Sequence, residues 1–506
     1  VNHAILGVVY DPWEIEPWEP MDTISWGIVM SFVLADDVDR ELAYAEMIAE
    51  LGEDVVFELR PEYPYDTRPV IAPTDEQVNA LSAAAMVTAN GEPIDWQNVN
   101  MDIIGSIPEI LGHSEFVGSN NWVIGGEHTA SGMPLLANDP HLAVQMPAIW
   151  YQVALHTPQQ DVIGFSFAGV PGVVIGHNEH IAWGVTNSGP DVLDLFIEKI
   201  NPDNPNQYEW MGEWQDMEII DEVIKVNGGE DIHLPVRVTR HGPVISDVQD
   251  DQDDVLAMRW AAQEPTRVMQ AVVLLDHAQN YEEFRDALRY WDIPSQNFVY
   301  ADKEGNIAYQ MPGRVPIRKN GQGMFPVPGW TGEYEWEGWV DFDELPALFN
   351  PEKGYIVTAN HAVVDEAYPY YIKRDWANGD RGFRIEQMID DALSDDVVTM
   401  AEIELMQMDS LSMPAMTYLP LIAPLESEFA NVQLIIDDLA DWTGQERRDS
   451  YETTLFELFY RELPHAILDD DIGEESVDIL SNAIFLHQIA QDPNSAWWDN
   501  ADTPEV

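Results

Sequence analysis

Between Trp122 and Tyr309 the chain is broken every few residues by Gly, Asn, Asp or Pro, and the pieces between are short, β-branched and aromatic. "NWVIGG", "PLLAND", "VVIGHN", "IAWGVTN", "VLDLFIEKI", "DIHLPVRVTR" and "NFVYAD" are too short for helices and have the composition of strands. "YADKEGNIAYQ" predicts a hairpin around Glu304-Gly305-Asn306. One helical pattern, "RVMQAVVLLDHAQNYEEFRDALRYW", interrupts the strands. On either side the apolar period lengthens to three and four residues. Residues 21–60 read as helix, opening on a capping Asp or Thr in "DTISWGIVMSFVLA" and continuing through "DDVDRELAYAEMIAELGEDVVFELR". After about Leu393, "VVTMAEIELMQM" and "YETTLFELFYREL" do the same. A Pro-rich connector runs from "PEYPYDTRPVIAP" to about Gly118. Strands between helical flanks predict an α+β layered protein.

Charge narrows the partners. Asp and Glu number 91 against 23 Lys and Arg, a formal charge of −68, and the first of only six lysines is Lys199. Such a surface repels nucleic acid and anionic membrane alike. Its self-repulsion is relieved by salt, which suits either a saline host or an acidic secreted protein. No apolar run reaches the length of a membrane-spanning helix. With no cysteine, disulfides, thiolate catalysis and cysteine zinc sites are excluded together. The chain opens "VNHAILGVVYDPW" and stops at "NADTPEV", which reads as a piece of a longer product, trimmed at both ends.

Three groups of residues carry candidate chemistry. Ser166, in "GFSFAG", is the nearest match to a nucleophile elbow, but Ala168 stands where that motif needs Gly and no helix pattern follows. His177 and His180, in "GHNEHIAWG", flank a probable hairpin and read as turn groups, not metal ligands. In "PDVLDLF", Asp191, the Leu193 carbonyl and Asp194 offer oxygens of the kind calcium takes, although D-x-x-D arises often by chance in so acidic a chain. Finally, "GSNNWVIGG" puts Ser119 between Gly118 and two asparagines, directly before a strand. Gly, Ser and Asn are ordinary turn formers. The alternative is that Ser119 becomes a chain end.

That last segment opens a series of motifs that resembles the penicillin acylase family of N-terminal nucleophile hydrolases. "GSNNWVIGG" is similar to its processing site and first strand, and "PLLANDPHL" to its second. "GVPGVVIGHNEHIAWGVTN" resembles its oxyanion-hole segment and "QNFVYADKEGNIAY" its catalytic-asparagine strand, with "GRVPIR" and "GYIVTANH" downstream. Such an ordered series of motifs is a specific signal; a lone G-S-N is not. The resemblance implies an αββα sandwich in which residues 1–118 hold the end of an α-chain and 119–506 a β-chain, strand-rich over 119–320. It also implies a periplasmic or extracellular amide hydrolase acting on an N-acylated small molecule, made as one precursor and cut between Gly118 and Ser119. Penicillins, acyl-homoserine lactones, glutaryl-cephalosporins and acylated peptides all fall within the family's range.

The implied chemistry is self-consistent. A serine hydroxyl attacks only when a base takes its proton. Cleavage would give Ser119 a free α-amine of pKa roughly 7.7–8.0, a suitable base without any histidine. The family's pattern assigns the oxyanion donors to the Asn187 backbone N–H and the Asn297 side chain, each such donor being worth about 2.7–4 kcal/mol. It gives His141 the task of orienting Ser119, and Arg318 that of supporting Asn297. Leu142, Val174, Ile175 and Val185 match its acyl pocket. Glu41, Asp191, Leu193 and Asp194 match its structural calcium site, and no organic cofactor is implied. The rival expectation is a catalytically silent member that keeps the scaffold as a binding or structural protein.

Overall fold

Alternation along β1 (Gly118–Ile124) sets the layering. Trp122 and Ile124 point one way and pack with Ile385 and Ile389, whereas Val123 points the other way and packs with Val299 and Ile356. A strand covered on both faces must therefore sit inside a four-layer stack. The computed structural model describes residues 17–35, 37–74, 88–89, 92–93, 96, 118–142, 144–226, 228–248, 255–394 and 396–498. Most of the expected connector lies outside them.

β1 is the middle strand of a three-stranded antiparallel sheet, between β2 (Leu135–His141) and the later strand Tyr355–Thr358. The facing sheet has seven strands. It contains β3 (Trp150–Thr157), β4 (Gln160–Phe167), β5 (Ile175–Asn178) and β6 (Ile181–Asn187). β7 (Leu193–Glu198) and β8 (Val255–Trp260) pair antiparallel in a separate three-stranded sheet, completed by Val327–Pro328 parallel to β7. After the helices α4 (Val268–His277) and α5 (Tyr281–Leu288) the large sheet is completed by β9 (Gln296–Asp302), β10 (Ile307–Gln310) and β11 (Ala347–Phe349). Its order is β11-β10-β9-β6-β5-β4-β3. The strand Tyr355–Thr358 is β12, and α6 (Asp380–Ser394) covers its outer face.

α4 and α5 cover the far side of the large sheet, where Phe284 packs with Phe298 and Tyr300. The layers are helix, sheet, sheet, helix, so the expected α+β sandwich is what the chain forms. Burying each large aliphatic or aromatic side chain contributes roughly 1.5–3 kcal/mol, so both outer interfaces are substantial.

Several boundaries moved. The long helical pattern over 267–291 is two helices, because Asn280 turns its side chain to accept the Glu283 N–H at 3.0 Å and starts a new one. The helical region begins at Asp380 and not after Leu393, and strands persist to Thr358. The first helix, α1, is Pro20–Val33, with Pro at its first position and Glu19 as the cap in place of the expected Asp or Thr. It is followed by α2 (Asp37–Leu51) and α3 (Glu53–Leu59).

Candidate active site

Ser119 is the second residue of β1 and is 7% exposed. The parity that sends Val123 between the sheets also sends Ser119 and Asn121 there. Its backbone N–H donates to Asn360 Oδ1 at 2.8 Å, and its Oγ donates to the carbonyl oxygen of Gly118. Asn360 lies two residues past the end of β12, with φ of 63°, a left-handed conformation that Asn tolerates better than most residues. From there its Nδ2 donates to the Asn187 carbonyl at 2.8 Å. Arg381, in the first turn of α6, completes the ring. It donates to Ser119 O (2.8 Å), Asn120 Oδ1 (2.7 Å) and Asn360 Oδ1 (2.9 Å). Gly118 leaves room for it, since a Cβ there would lie 3.2 Å from the guanidinium.

A polar seam runs inward from this point. Thr358 Oγ1 donates to Asn121 Oδ1, and Thr186 and Thr358 share a hydroxyl contact of 2.6 Å. Asn297 is fully buried, with its Nδ2 donating to Thr186 Oγ1 at 3.0 Å and, more loosely, to the Asn187 carbonyl at 3.3 Å. Tyr309 donates to its Oδ1. Asn138 ties the sheets together like a stray peptide group, exchanging hydrogen bonds with Val185 N and O. Ser119, Asn187 and Asn297 are thus brought together as expected, although Gln296 and not Asn297 reaches the neighbouring cavity.

That cavity has a volume of about 320 Å³, within the small-molecule range. Ser119 and Gly118 stand on its wall with Asn187, Asn360 and Arg381. Most of the remaining lining is apolar. Leu142, Val174 and Val185 line it as expected; Ile175 does not, its side chain being turned into the core under α4. The sequence reading missed other lining residues: Trp26 and Met30 from α1 and Leu34 just after it, Trp150 and Phe167 from β3 and β4, and Val272 from α4. α1 is pinned over the cavity by Thr23, whose Oγ1 donates to the Gly169 carbonyl. The Val173–Val174 wall hangs on Asp276, which accepts the Val173 N–H with both oxygens at 3.1 Å; burial pushes this carboxyl up to about 7.

Ser166 is no elbow. It lies inside β4, 2% exposed, with its hydroxyl on the Val170 carbonyl, and the chain continues into another strand. His141 is also placed differently from the expectation. It pairs in register with Gly118, but its Nε2 meets Asp139 at 2.9 Å and its side chain is 47% exposed. The group that holds Ser119 is Asn360.

The penicillin amidase family model matches residues 1–506. The chain belongs to that family. It is 28% identical, over 97% of its own length, to acyl-homoserine lactone acylase QuiP of Pseudomonas aeruginosa, and spans 60% of that protein. Penicillin acylase 2 proenzyme of a Pseudomonas species is 34% identical over 51% of the chain and 33% of the relative. Penicillin G acylase of Escherichia coli is 31% identical over 54% of the chain and 32% of the relative. Among solved structures, thermostable penicillin G acylase from Alcaligenes faecalis superposes with a TM-score of 0.62 at 28% identity, covering 72% of this chain and 67% of that one.

The Asp191–Asp194 segment falls in a second buried centre. Asp191 and Asp194 clamp Arg318, whose Nη2 lies 2.5 and 2.6 Å from their carboxylates while its Nε reaches Asp194 at 2.9 Å. Arg318 therefore braces this acidic centre and not Asn297, as the resemblance had implied. Gly323 packs on the cluster with φ of 70°, where a Cβ would collide with all three side chains. Asp194 also receives the Trp336 indole N–H, and Leu193 is paired with Trp260 in the β7–β8 ladder. Glu41, from α2, accepts the Leu195 N–H with one oxygen at 3.0 Å while the other has no partner. Burial and the charges of Asp194 and Asp191 push its carboxyl well up. A cavity of about 10 Å³, the size of one water or ion, is lined by Glu41, Asp191, Asp37 and Asp375 together with Arg40, which pairs with Asp37 at 3.3 Å. The hard-oxygen donors and the unpartnered Glu41 oxygen fit a calcium ion, but among the described residues no three acidic side chains already form a cage.

Proposed function

We propose that the protein is an acyl amidohydrolase that removes the acyl group from an N-acylated small molecule through an ester on Ser119. One observation carries the reading: Ser119 stands on a mostly apolar cavity with its hydroxyl against the preceding carbonyl and its nitrogen gripped by a side-chain amide. The names of the family members above, acylases for penicillins and acyl-homoserine lactones, support the same substrate class. The chain spans about three fifths of the acyl-homoserine lactone acylases, so the activity is proposed for the whole protein.

In maturation, Oγ attacks the Gly118 carbonyl carbon, the Gly118–Ser119 C–N bond breaks, and the acyl group passes to oxygen as an ester. Water hydrolyses that ester, leaving a Gly118 carboxylate and a Ser119 α-amine. In turnover the amine takes the Oγ proton as Oγ bonds to the acyl carbon. Charge on the acyl oxygen would be met by the Asn187 N–H; Asn297 Nδ2, bonded to Thr186 Oγ1 at 3.0 Å and to the Asn187 carbonyl at 3.3 Å and off the cavity wall, would serve as the second donor only by turning towards it. The ammonium then protonates the departing amine as the C–N bond breaks, and water repeats the sequence to release the acid.

Calcium is proposed at Glu41 and Asp191 of the expected set, with Asp37 in place of Asp194, which is held by Arg318, and of Leu193, which is paired in the β7–β8 ladder; there it would offset excess carboxylate and tie α2 to β7. A periplasmic or extracellular location is proposed with it, on the family resemblance alone; among the described residues no helix is long and apolar enough to cross a membrane.

The test is Ser119→Ala. Wild type is expected as two chains, the second starting at Ser119 by mass spectrometry, with hydrolysis of acyl amides; the variant stays whole and inactive. An intact, inactive wild type would instead identify a silent family member.

A further inference from the structure

Gln296 opens β9 and lies in register with Asn187, the last residue of β6. It is 7% exposed and lines the cavity beside Ser119. Both protons of its side-chain amide are in use: Nε2 donates to the Ser295 carbonyl at 2.7 Å and to Asn187 Oδ1 at 3.2 Å. The Asn187 amide cannot be turned round, because its Nδ2 donates to the Leu34 carbonyl at 3.0 Å while Oδ1 also accepts the Gly189 N–H at 3.3 Å. Gln296 therefore has to face these oxygens with its nitrogen and point its own oxygen away from them. Among the described residues no donor reaches Gln296 Oε1, and the atom is not sealed from the cavity.

An amide with both protons committed can only accept. Water meets such an oxygen in an open cavity, but an acyl chain that fills the space displaces it. A plain alkyl chain then leaves the oxygen unpaired at a cost, whereas a hydroxyl restores the bond. Position narrows the donor further. With the acyl oxygen on the Asn187 N–H, a group that reaches the paired residue Gln296 must lie close to the carbonyl carbon. The lining next to Gln296 in the chain, Ile293 and Pro294, is apolar, as is Leu34 across Asn187, which suits an acyl chain and not a charged group.

We propose that Gln296 Oε1 is a specificity-determining acceptor that selects acyl groups bearing a hydroxyl on the second or third carbon. The inference rests on Ser119 acting as nucleophile with the acyl group in this cavity.

The experiment compares kcat/KM of the whole processed protein and of Gln296→Met on amides of one chromogenic amine. The acyl groups are octanoyl, 2-hydroxyoctanoyl, 3-hydroxyoctanoyl and the methyl ethers of the two hydroxy acids. In wild type one hydroxy amide should exceed octanoyl by roughly tenfold, and its ether, which keeps the oxygen but has no proton to give, should fall to octanoyl or below. Gln296→Met keeps the volume and removes the acceptor, so the hydroxy-to-octanoyl ratio should drop to about one. A loss common to all the amides reports the support that Gln296 gives Asn187; the ratio reads the subsite. A ratio that survives the substitution overturns the proposal. So does a wild type that treats the ether as well as the alcohol, or octanoyl as well as both alcohols, which decides the matter even where Gln296→Met fails to fold or mature. If wild type hydrolyses none of the amides, the Ser119 reading fails, and calorimetric binding of the hydroxyoctanoates against octanoate still decides the subsite: equal affinities overturn it, and tighter binding of a hydroxy acid supports it.

Discussion

Arg318 and Arg381 are the same residue in opposite circumstances. Arg318 is 4% exposed and enclosed by two carboxylates, whose charges, against the cost of burial, hold its proton more firmly than usual. Arg381 opens on the cavity and touches only neutral oxygens. In a chain with 91 acidic residues, an arginine without a bonded carboxylate is the unusual one. Where charge is matched, the arginine braces the scaffold; where it is left unmatched beside the proposed nucleophile, its field would be available to the chemistry.

The sharpest way to break that contrast is to remove the matched arginine. Arg318→Met should destabilise the fold by about 3–5 kcal/mol, because it leaves buried carboxylates facing each other without a cation. Denaturant melts with a chelator and with calcium check this. A loss below about 1 kcal/mol would make Arg318 dispensable, and a loss restored by calcium would show the ion replacing the guanidinium.

Much of this contrast was invisible in the sequence, for physical reasons. Strands such as Ile181–Asn187 and the Glu304-Gly305-Asn306 turn were legible because their residues satisfy local geometry: Asp302 Oδ1 accepts both the Glu304 and Asn306 N–H groups. Ser119, Asn187 and Asn297 were legible because they lie in motifs continuous along the chain. Asn360 also lies in a quoted motif, "GYIVTANH", but its contact and that of Arg381 were not legible, since they arise from pairing of distant segments, as the separation of Ser119 and Asn360 by 241 positions illustrates. β3 escaped for another reason. Most of its residues face solvent, so no clean apolar alternation marked it. The error over Arg318 has the same origin: "GRVPIR" fixes the position in the chain, but only the fold reveals that Asp191 and Asp194 reach it first.

A buried cation that can be titrated offers a gentler test. His241 has no exposed side-chain surface and bridges Glu198 and Glu335, both at 2.8 Å. Burial alone would lower its pKa, but the hydrogen bonds to Glu198 and Glu335 outweigh it and raise the value above 6.5. Burial likewise opposes, and the bond to His241 outweighs, in Glu335, which is held below 4.5. The raised histidine stabilises the fold fully below about pH 6.5 and ceases to do so as pH rises through its folded value. The depressed glutamate contributes above about 4.5 and is lost as pH falls through its own. The melting difference between wild type and His241→Gln should therefore be largest between those limits and shrink on both sides. A difference that does not change with pH would mean the ring is not an imidazolium.

The smallest effect concerns the acyl group, and it asks whether Arg381 is spoken for. An acyl carbon bonded to Ser119 Oγ starts beside Arg381, and the chain must then run along Trp26, Met30, Trp150, Phe167 and Val272. Each added methylene should contribute about 0.8 kcal/mol there, roughly a fourfold gain in kcat/KM per carbon until the cavity fills. A glutaryl chain would carry its carboxylate away from Arg381 into the apolar part and pay for desolvation. Lys373 is the one other cation among the described residues on the wall. Matched hexanoyl, octanoyl, phenylacetyl and glutaryl amides of one chromogenic amine decide the matter, with the neutral acyl groups expected ahead. A glutaryl preference that disappears in Lys373→Met would assign the carboxylate to that lysine; one that survives it would mean Arg381 binds substrate as well, and its charge would then be matched during turnover after all.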